Sequence, residues 1–431
     1  MRIIEFPKRT DWKKLFERPS FDSIALFGKV QKIMDAVRER GDEALRAYEK
    51  EFDKVELGEL KVSKAELQEA VTKIPQALKD ALELAHENIE SFHKAQCFKE
   101  IKVQTRPGVT CWQRAVPIER VGLYIPGGTA PLFSTVLMLA TPAKIAGCKD
   151  IVLCTPPGKD GSVNSAILYA AQLAGVDKIF KLGGSQAIAA MAIGTDSVPK
   201  VDKIFGPGNQ YVMAAKQLAA LQDVAIDMPA GPSEVEVLAD ETANPAFVAA
   251  DLLSQAEHGV DSQVVLVSTS RELIEHVQEE VELQKQTLPR QEIVDKCLEN
   301  SKYILVHDES EAIEITNAYA PEHLVIAMNR CHEVAEQIIN AGSVFLGAYS
   351  CESAGDYASG TNHTLPTKGY ARAYSGLNLD SFMRKMTLQE ITAEGIQQIG
   401  PAVALMAANE QLTAHERAMT IRMDYIKSAN K

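Results

Sequence analysis

Between Arg120 and Asp227 the chain alternates short apolar runs with longer stretches of helical periodicity, and this alternation constrains the fold more than any other feature. Strands are predicted at 121–125, 150–154, 178–182, 203–205 and 224–227, with helices at 132–145, 163–174, 186–193 and 211–221 between them. Strands separated by whole helices cannot pair through hairpins, so they imply a parallel sheet covered by its crossover helices. A second run of this kind begins at Val235, with strands at 235–238, 263–268, 302–307, 324–328 and 343–346, most of them separated by helices. The expected fold class is α/β, with two Rossmann-like (incomplete) parallel-sheet modules.

Helical extensions flank them. Residues 1–100 read as helices: 21–40 is periodic and stops at Gly41, Asp42 can cap 43–52, and Ser63-Lys-Ala-Glu66 is a capping box opening a long helix towards Phe92. From Asp380 onward the chain reads as helical again, with no strand signal. Such a helical arm must pack on another domain or subunit, and an exchanged arm is one low-cost route to a dimer. A length of 431 residues exceeds one ordinary core. The expected division is an N-terminal segment (1–18), a discontinuous first α/β domain with its helical extension (19–120 plus 234–379), a second α/β domain (121–233), and a C-terminal helical arm (380–431).

A formal net charge of -13 excludes the basic footprint of non-specific nucleic-acid binding. Seven cysteines, scattered without a CxxC pair, argue against a disulfide framework and for a reducing compartment. The N-terminal Met-Arg-Ile-Ile-Glu-Phe-Pro-Lys-Arg lacks the apolar core of a secretory signal, and no apolar run is long enough to span a bilayer. The expectation is a cytoplasmic soluble enzyme or binding protein with no membrane partner.

Two segments carry chemistry-bearing types. Pro321-Glu322-His323-Leu324 puts a carboxylate and an imidazole side by side between a helix and a strand. Two proton-handling groups of different intrinsic pKa suit a reaction with more than one proton transfer, although most such neighbours are solvated surface pairs. In an extended strand the two would face opposite ways, so sharing one pocket requires the chain to turn at Pro321. Ser353-Ala-Gly-Asp356-Tyr-Ala-Ser-Gly-Thr-Asn362-His363 is rich in small residues and carries Asp and His where a plain connection needs neither.

Other positions are weighed against plainer readings. Gln255 and His258 stand three apart near the end of a predicted helix at 247–259, one face of which could hold a metal; a His favoured by the helix dipole explains the same pattern. His415, in Thr413-Ala-His415-Glu416, falls in the first turn of the last helix, where the dipole keeps an imidazole neutral, as a ligand must be; an exposed terminal His is the alternative. Ser233 sits in the Pro/Gly segment joining the modules, a cleft position or a simple hinge. Gly127-Gly128, Gly183-Gly184 and Gly206-Pro-Gly208-Asn209 follow strands and precede helices, where phosphate or ribose approaches backbone. None is a G-x-G-x-x-G fingerprint, and tight turns alone would explain them. Cys148 and Cys154 look like buried structural thiols rather than nucleophiles.

At these residues the chain resembles the histidinol dehydrogenase family. The matching segments include VGLYIPGG (121–128), GGSQAIAA (183–190), KIFGPGN (203–209), AIDMPAGPSEV (225–235), DLLSQAEHG (251–259), PEHL (321–324), SAGDYASGTNHTLPT (353–367) and LTAHE (412–416), and the likeness covers essentially the whole chain. The resemblance implies oxidation of L-histidinol to L-histidine through an aldehyde, with two NAD molecules reduced in succession. It implies a zinc ion, one per subunit, on Gln255, His258, Asp356 and His415, the last from the partner subunit of a homodimer whose active site is shared. Glu322 and His323 match the family's acid/base pair. Ser233, His363 and Glu410 match substrate-contacting positions, and Tyr124, Gln186 and Asn209 match NAD-contacting positions. Such a ligand set lacks thiolate and contains a weak amide, which suits a site that admits substrate nitrogen and oxygen.

Two rival readings stand beside this one. An aldehyde-dehydrogenase-like enzyme with a Cys nucleophile would resist chelators and be sensitive to alkylation. A two-lobed binding protein hinged at 229–232 would bind ligand without forming NADH.

Overall fold

The computed structural model describes residues 1–19, 23–127, 130–229 and 231–429. Phe21, Gly128 and Ala230, which belong to an expected helix start and two expected loops, lie outside the described residues. The chain opens with a strand, β1 (Arg2–Glu5), where helix was expected; β1 adds to the edge of a sheet formed by residues some 300 positions later, a partner no local pattern announces. Helices α1 (Trp12–Leu15), α2 (Ser23–Arg40), α3 (Asp42–Tyr48), α4 (Lys64–Lys73) and α5 (Gln76–Lys94) follow. The Ser63–Glu66 capping box forms in both directions. The single helix expected after it is broken at Ile74-Pro75, because proline lacks the N–H that helix continuation needs.

Next comes a hairpin that the sequence pattern did not announce, β2 (Ile101–Arg106) and β3 (Val109–Pro117). The smaller parallel module then runs β4 (Arg120–Tyr124), α6 (Phe133–Ala146), β5 (Asp150–Thr155), α7 (Ser165–Leu173), β6 (Lys178–Lys181), α8 (Gly184–Ile193), β7 (Lys203–Phe205), α9 (Gln210–Gln222) and β8 (Ala225–Ile226). Its strands are all parallel, in the order β6-β5-β4-β7-β8. The larger module runs β9 (Glu234–Ala239), α10 (Pro245–Ala256), β10 (Gln263–Ser268), α11 (Arg271–Gln284), α12 (Gln291–Glu299), β11 (Lys302–Leu305), α13 (Glu309–Tyr319), β12 (His323–Ala327), α14 (Cys331–Ala335), β13 (Ser343–Leu346) and α15 (Glu352–Tyr357). Its order is β1-β11-β10-β9-β12-β13, also parallel. Apart from β1, both sheets reverse direction of growth after their first three strands, so they share one topology with the same switch point, between the first and fourth strands.

Both sheets are buried on two faces, which is why their strands read as near-continuous apolar runs. In the larger module Val237, Val264 and Leu266 pack under α10, α11 and α12, while Leu238, Val265 and Ile304 face α13 and α14. In the smaller, Val152, Phe180 and Ile204 pack under α8 and α9, and α2 lies on those two helices. α4 rests on α7 and α5 on α6.

The chain ends with β14 (Met383–Ile391), α16 (Ala393–Asn409) and α17 (Thr413–Ala429). β14 corrects the expectation of an all-helical C-terminus. It pairs antiparallel with β3, from Met383 opposite Pro117 to Ile391 opposite Val109. Its residues alternate poorly, and its strand conformation comes from a partner far away in sequence. Backbone contacts group the chain into two compact units, residues 1–96 with 119–382, and residues 97–118 with 383–431.

Candidate active site

The first unit brings most of the singled-out residues to one cavity. Its walls include Ser233, Gln255, His258, Glu322, His323, Asp356 and His363, together with Thr135, Pro207 and Asp227. The strands meet there in an unusual way. Gly206 and Pro207 follow the C-terminal end of β7, whereas Glu322 and His323 stand at the N-terminal end of β12 and Ser233 just before β9. One sheet therefore contributes its ligand-binding edge and the other its opposite edge. Gly206 is required in this place: its φ is +121°, and a side chain would strike the carbonyl of Tyr124 on the neighbouring strand.

α13 stops at Ala320, whose φ of 54° is left-handed, and Pro321 keeps the helix from continuing. His323 is already the first residue of β12, paired with Val235 and Ser343, one position earlier than expected. Even so the two neighbours reach one pocket. Both are buried, and Glu322 Oε2 lies 3.6 Å from His323 Nδ1. Glu322 Oε2 also accepts from the backbone N–H of Glu234 at 2.8 Å. Burial raises the Glu322 carboxyl above its ordinary value, and the facing imidazole only partly opposes this.

His323 is enclosed by carboxylates. Its Nε2 lies 3.3 Å from Asp356 Oδ1 and its Nδ1 4.0 Å from Glu352 Oε1. Burial would lower its pKa, but Glu352, Glu322 and Asp356 together raise it well above the ordinary histidine value. Asp356 moves the other way: burial would raise it, yet His323, His363 and His258 hold it below the usual carboxylate range.

The expected helix at 247–259 ends early. α10 closes at Ala256, so His258 lies in the turn beyond it, where its N–H donates to the Gln255 carbonyl at 3.2 Å. That turn, rather than one helical face, sets the two side chains together. His258 is open to the cleft yet walled by the surrounding chain, which lowers its pKa and keeps the ring neutral. Ligand atoms from His258, Glu352 and Asp356 all lie within 4.8 Å of one another, and Asp356 Oδ1, Glu352 Oε2 and His323 Nε2 are buried without hydrogen-bond partners. Orphaned acceptors converging in this way fit a cation. Gln255 is fully buried, and its amide is satisfied when the NH2 group donates to Glu352 and the oxygen accepts from Glu234 N–H at 3.0 Å. His363 bridges the modules: Nδ1 lies 2.9 Å from the Asp356 carbonyl and Nε2 3.1 Å from Thr135 Oγ1. A carbonyl can only accept, so Nδ1 carries the proton and Nε2 accepts from Thr135.

Tyr124, Gln186 and Asn209 line a separate cleft of about 550 Å³. Asn209 also lines a third opening, of about 430 Å³, which reaches Ser233 and His258 and so runs on toward the first cavity. Glu410 and His415 belong to the second unit, and both are exposed; His415 falls in the first turn of α17, with Thr413 inside the helix rather than before it. Cys148 and Cys154 are buried, with the Cys148 thiol pushed up to about 12 by burial and that of Cys154 pushed higher still, so neither is an activated nucleophile.

Two carboxylates escaped the sequence reading. Glu352 lies one helical turn before Asp356, a spacing that puts both on one face of α15, and this was readable from the sequence. Glu234 was not, because its role comes from contacts across the fold: its carboxylate pairs with Arg18 and accepts from the backbone N–H of Lys368 at 2.6 Å.

The family model described as histidinol dehydrogenase matches residues 16–423. A histidinol dehydrogenase of Bacteroides fragilis is 64% identical over 427 residues, covering 99% of this chain and 100% of that protein. One of Escherichia coli strain K12 is 52% identical over 418 residues, covering 96% and 95%. Among solved structures, the crystal structure of histidinol dehydrogenase from Elizabethkingia anophelis superposes with a TM-score of 0.97 at 51% identity, over 100% of this chain and 99% of that one.

Proposed function

The chain belongs to the histidinol dehydrogenase family and is an oxidoreductase, and from that premise we propose that it oxidises L-histidinol to L-histidine through L-histidinal in two NAD-linked steps at a zinc site. The observation that carries this reading is the convergence of Glu322 and His323 on a cavity where His258, Glu352 and Asp356 offer a cation-sized cluster of donors.

Zinc would be held by Gln255, His258 and Asp356, with His415 supplied by the arm of a second copy. When bound it orients the substrate's imidazole and amine, and NAD accepts the hydride in each oxidation. The residues handle the protons. His323 takes the alcohol proton as the first hydride leaves the carbinol carbon. Glu322 takes a proton from water as its oxygen adds to the aldehyde carbon, and the gem-diolate so formed loses the second hydride to leave the carboxylic acid. His323 must be neutral to begin; Glu352, Glu322 and Asp356 raise its pKa, and a divalent cation held by Asp356 would oppose them. Ser233, His363 and Glu410 contact the substrate, and Tyr124, Gln186 and Asn209 contact NAD in the module of 121–233.

A homodimer is supported by the surface of the second unit. α17 buries none of its described residues, and Leu405, Met406, Ile421 and Tyr425 are exposed. We assign the 380–431 arm to the partner's site. A cytoplasmic location fits seven free cysteines, and no helix of the described residues is long and apolar enough to cross a membrane.

The deciding experiment counts NADH formed per L-histidinol consumed, with zinc supplied. Two per substrate is expected. One would mean that the reaction stops at the aldehyde, and none would overturn the assignment of substrate.

A further inference from the structure

In a dinucleotide-binding module the N-terminus of a helix that follows a strand is a ready-made site for phosphate, since its N–H groups are free and its dipole is positive there. At the N-terminus of α8 two of these N–H groups are closed to that use. The Gly183 N–H donates to Glu49 Oε1 at 3.0 Å, and the Gly184 N–H donates to the Tyr124 hydroxyl at 3.0 Å. Glu49 is fully buried, and burial pushes its carboxyl up to about 8. The chain's own groups occupy the place of an anion.

The 550 Å³ cleft at this end is lined by Asp53, Gln186 and Asn209. Gln186 is buried; its amide nitrogen donates to Glu49 Oε1 at 2.9 Å, and its own Oε1 has no partner. Asp53 also lines the cleft, and its Oδ2 lies 3.3 Å from where a side chain on Gly183 would begin. It stands in the same π-helical turn as Glu49, Glu49–Asp53, a winding that is rare and concentrated at functional sites. The Oδ1 of Asn209 is already engaged, accepting from the N–H groups of Tyr211 and Val212. Among the described residues lining the cleft, Lys29 is the cation, and it is exposed.

We propose that Asp53, seated on the end of α8 that Glu49 closes, selects NAD over its 2′-phosphorylated form. The proposal rests on the reading that this cleft takes the dinucleotide. A ribose diol brings two donors to the Asp53 carboxylate that lines the cleft. A 2′-phosphate brings negative charge against the Asp53 carboxylate and finds the Gly183 and Gly184 amides already taken, so the site discriminates chiefly by repulsion.

The test compares kcat/KM for NAD and NADP, with L-histidinol and zinc saturating, in the wild type, Asp53→Asn and Asp53→Ser. The wild type is expected to favour NAD by at least about 100-fold, and both variants to narrow that ratio by about tenfold or more through improved use of NADP, a change of about 1.4 kcal/mol. Equal use of the two cofactors by the wild type would overturn the proposal, as would variants that lose both activities in proportion. Calorimetric binding of the two dinucleotides to the same three proteins keeps the readout independent of turnover. If no NADH forms from L-histidinol but NAD still binds selectively and Asp53→Asn relaxes that selectivity, the substrate reading fails while this inference stands. Binding of neither dinucleotide overturns it.

Discussion

The backbone N–H of Glu234 donates to Glu322 Oε2 across 2.8 Å, so the first residue of β9 fixes the orientation of a carboxylate carried just ahead of the neighbouring strand β12. The same carboxylate faces His323 at 3.6 Å, and these two contacts leave it with one defined position in the cavity. A carboxylate held in this way can take a proton from an adjacent water molecule without first reorganising.

Replacing Glu322 by Gln keeps an acceptor for Glu234 N–H but removes the base. The first oxidation should proceed, while acid formation slows by roughly 10²–10⁴-fold. His323→Asn should instead slow the first oxidation by a comparable factor. Single-turnover NADH formation, started once from the alcohol and once from the aldehyde, separates the two. Equal losses in both halves of Glu322→Gln would rule out this division of labour.

Chelation should abolish turnover in the wild type, and added zinc should restore it. His258→Asn and Asp356→Asn should each bind zinc at least about tenfold more weakly, measured by competition with a chromophoric chelator. Glu352→Ala should also loosen zinc, by about 10–100-fold, because the Gln255 amide then loses the partner that aligns it. Unchanged zinc affinity in all three variants would place the metal elsewhere.

If a second copy supplies His415, two variants that each fail in acid formation should rescue each other, with L-histidine as the product measured. His415→Asn and Glu322→Gln subunits, mixed and allowed to exchange, form heterodimers in which one site is intact and the other carries both defects. Random mixing should restore about a quarter of wild-type activity, since half of the dimers are mixed and half of their sites are whole. No recovery after proven exchange would mean that each chain completes its own site.

Glu236 offers a test through stability. It is fully buried in β9, accepts from the Thr316 hydroxyl, and burial pushes its carboxyl from an ordinary 4.5 up to about 8. The folded state therefore keeps a proton that the unfolded chain releases near pH 4.5. Its contribution is complete below that pH and is lost as the pH rises towards 8. Glu236→Gln cannot ionise and still accepts from Thr316. Its Tm relative to wild type should rise between pH 5 and pH 8.5, and a constant difference across thermal melts at these pH values would contradict a raised carboxyl.

The sequence alone determined the two parallel modules, because strands buried on both faces must be apolar throughout and must be separated by helices. It also singled out Glu322, His323, Asp356 and His363, whose types have no reason to occur together in a plain connection and which line one cavity. Folding decided what depended on distant partners. β14 is a strand because it pairs with β3 across the length of the chain. His258 meets Gln255 through a turn after α10 and not along it. Glu234 gains its place from neighbours far away in sequence, Arg18 and Lys368, which no local pattern announces.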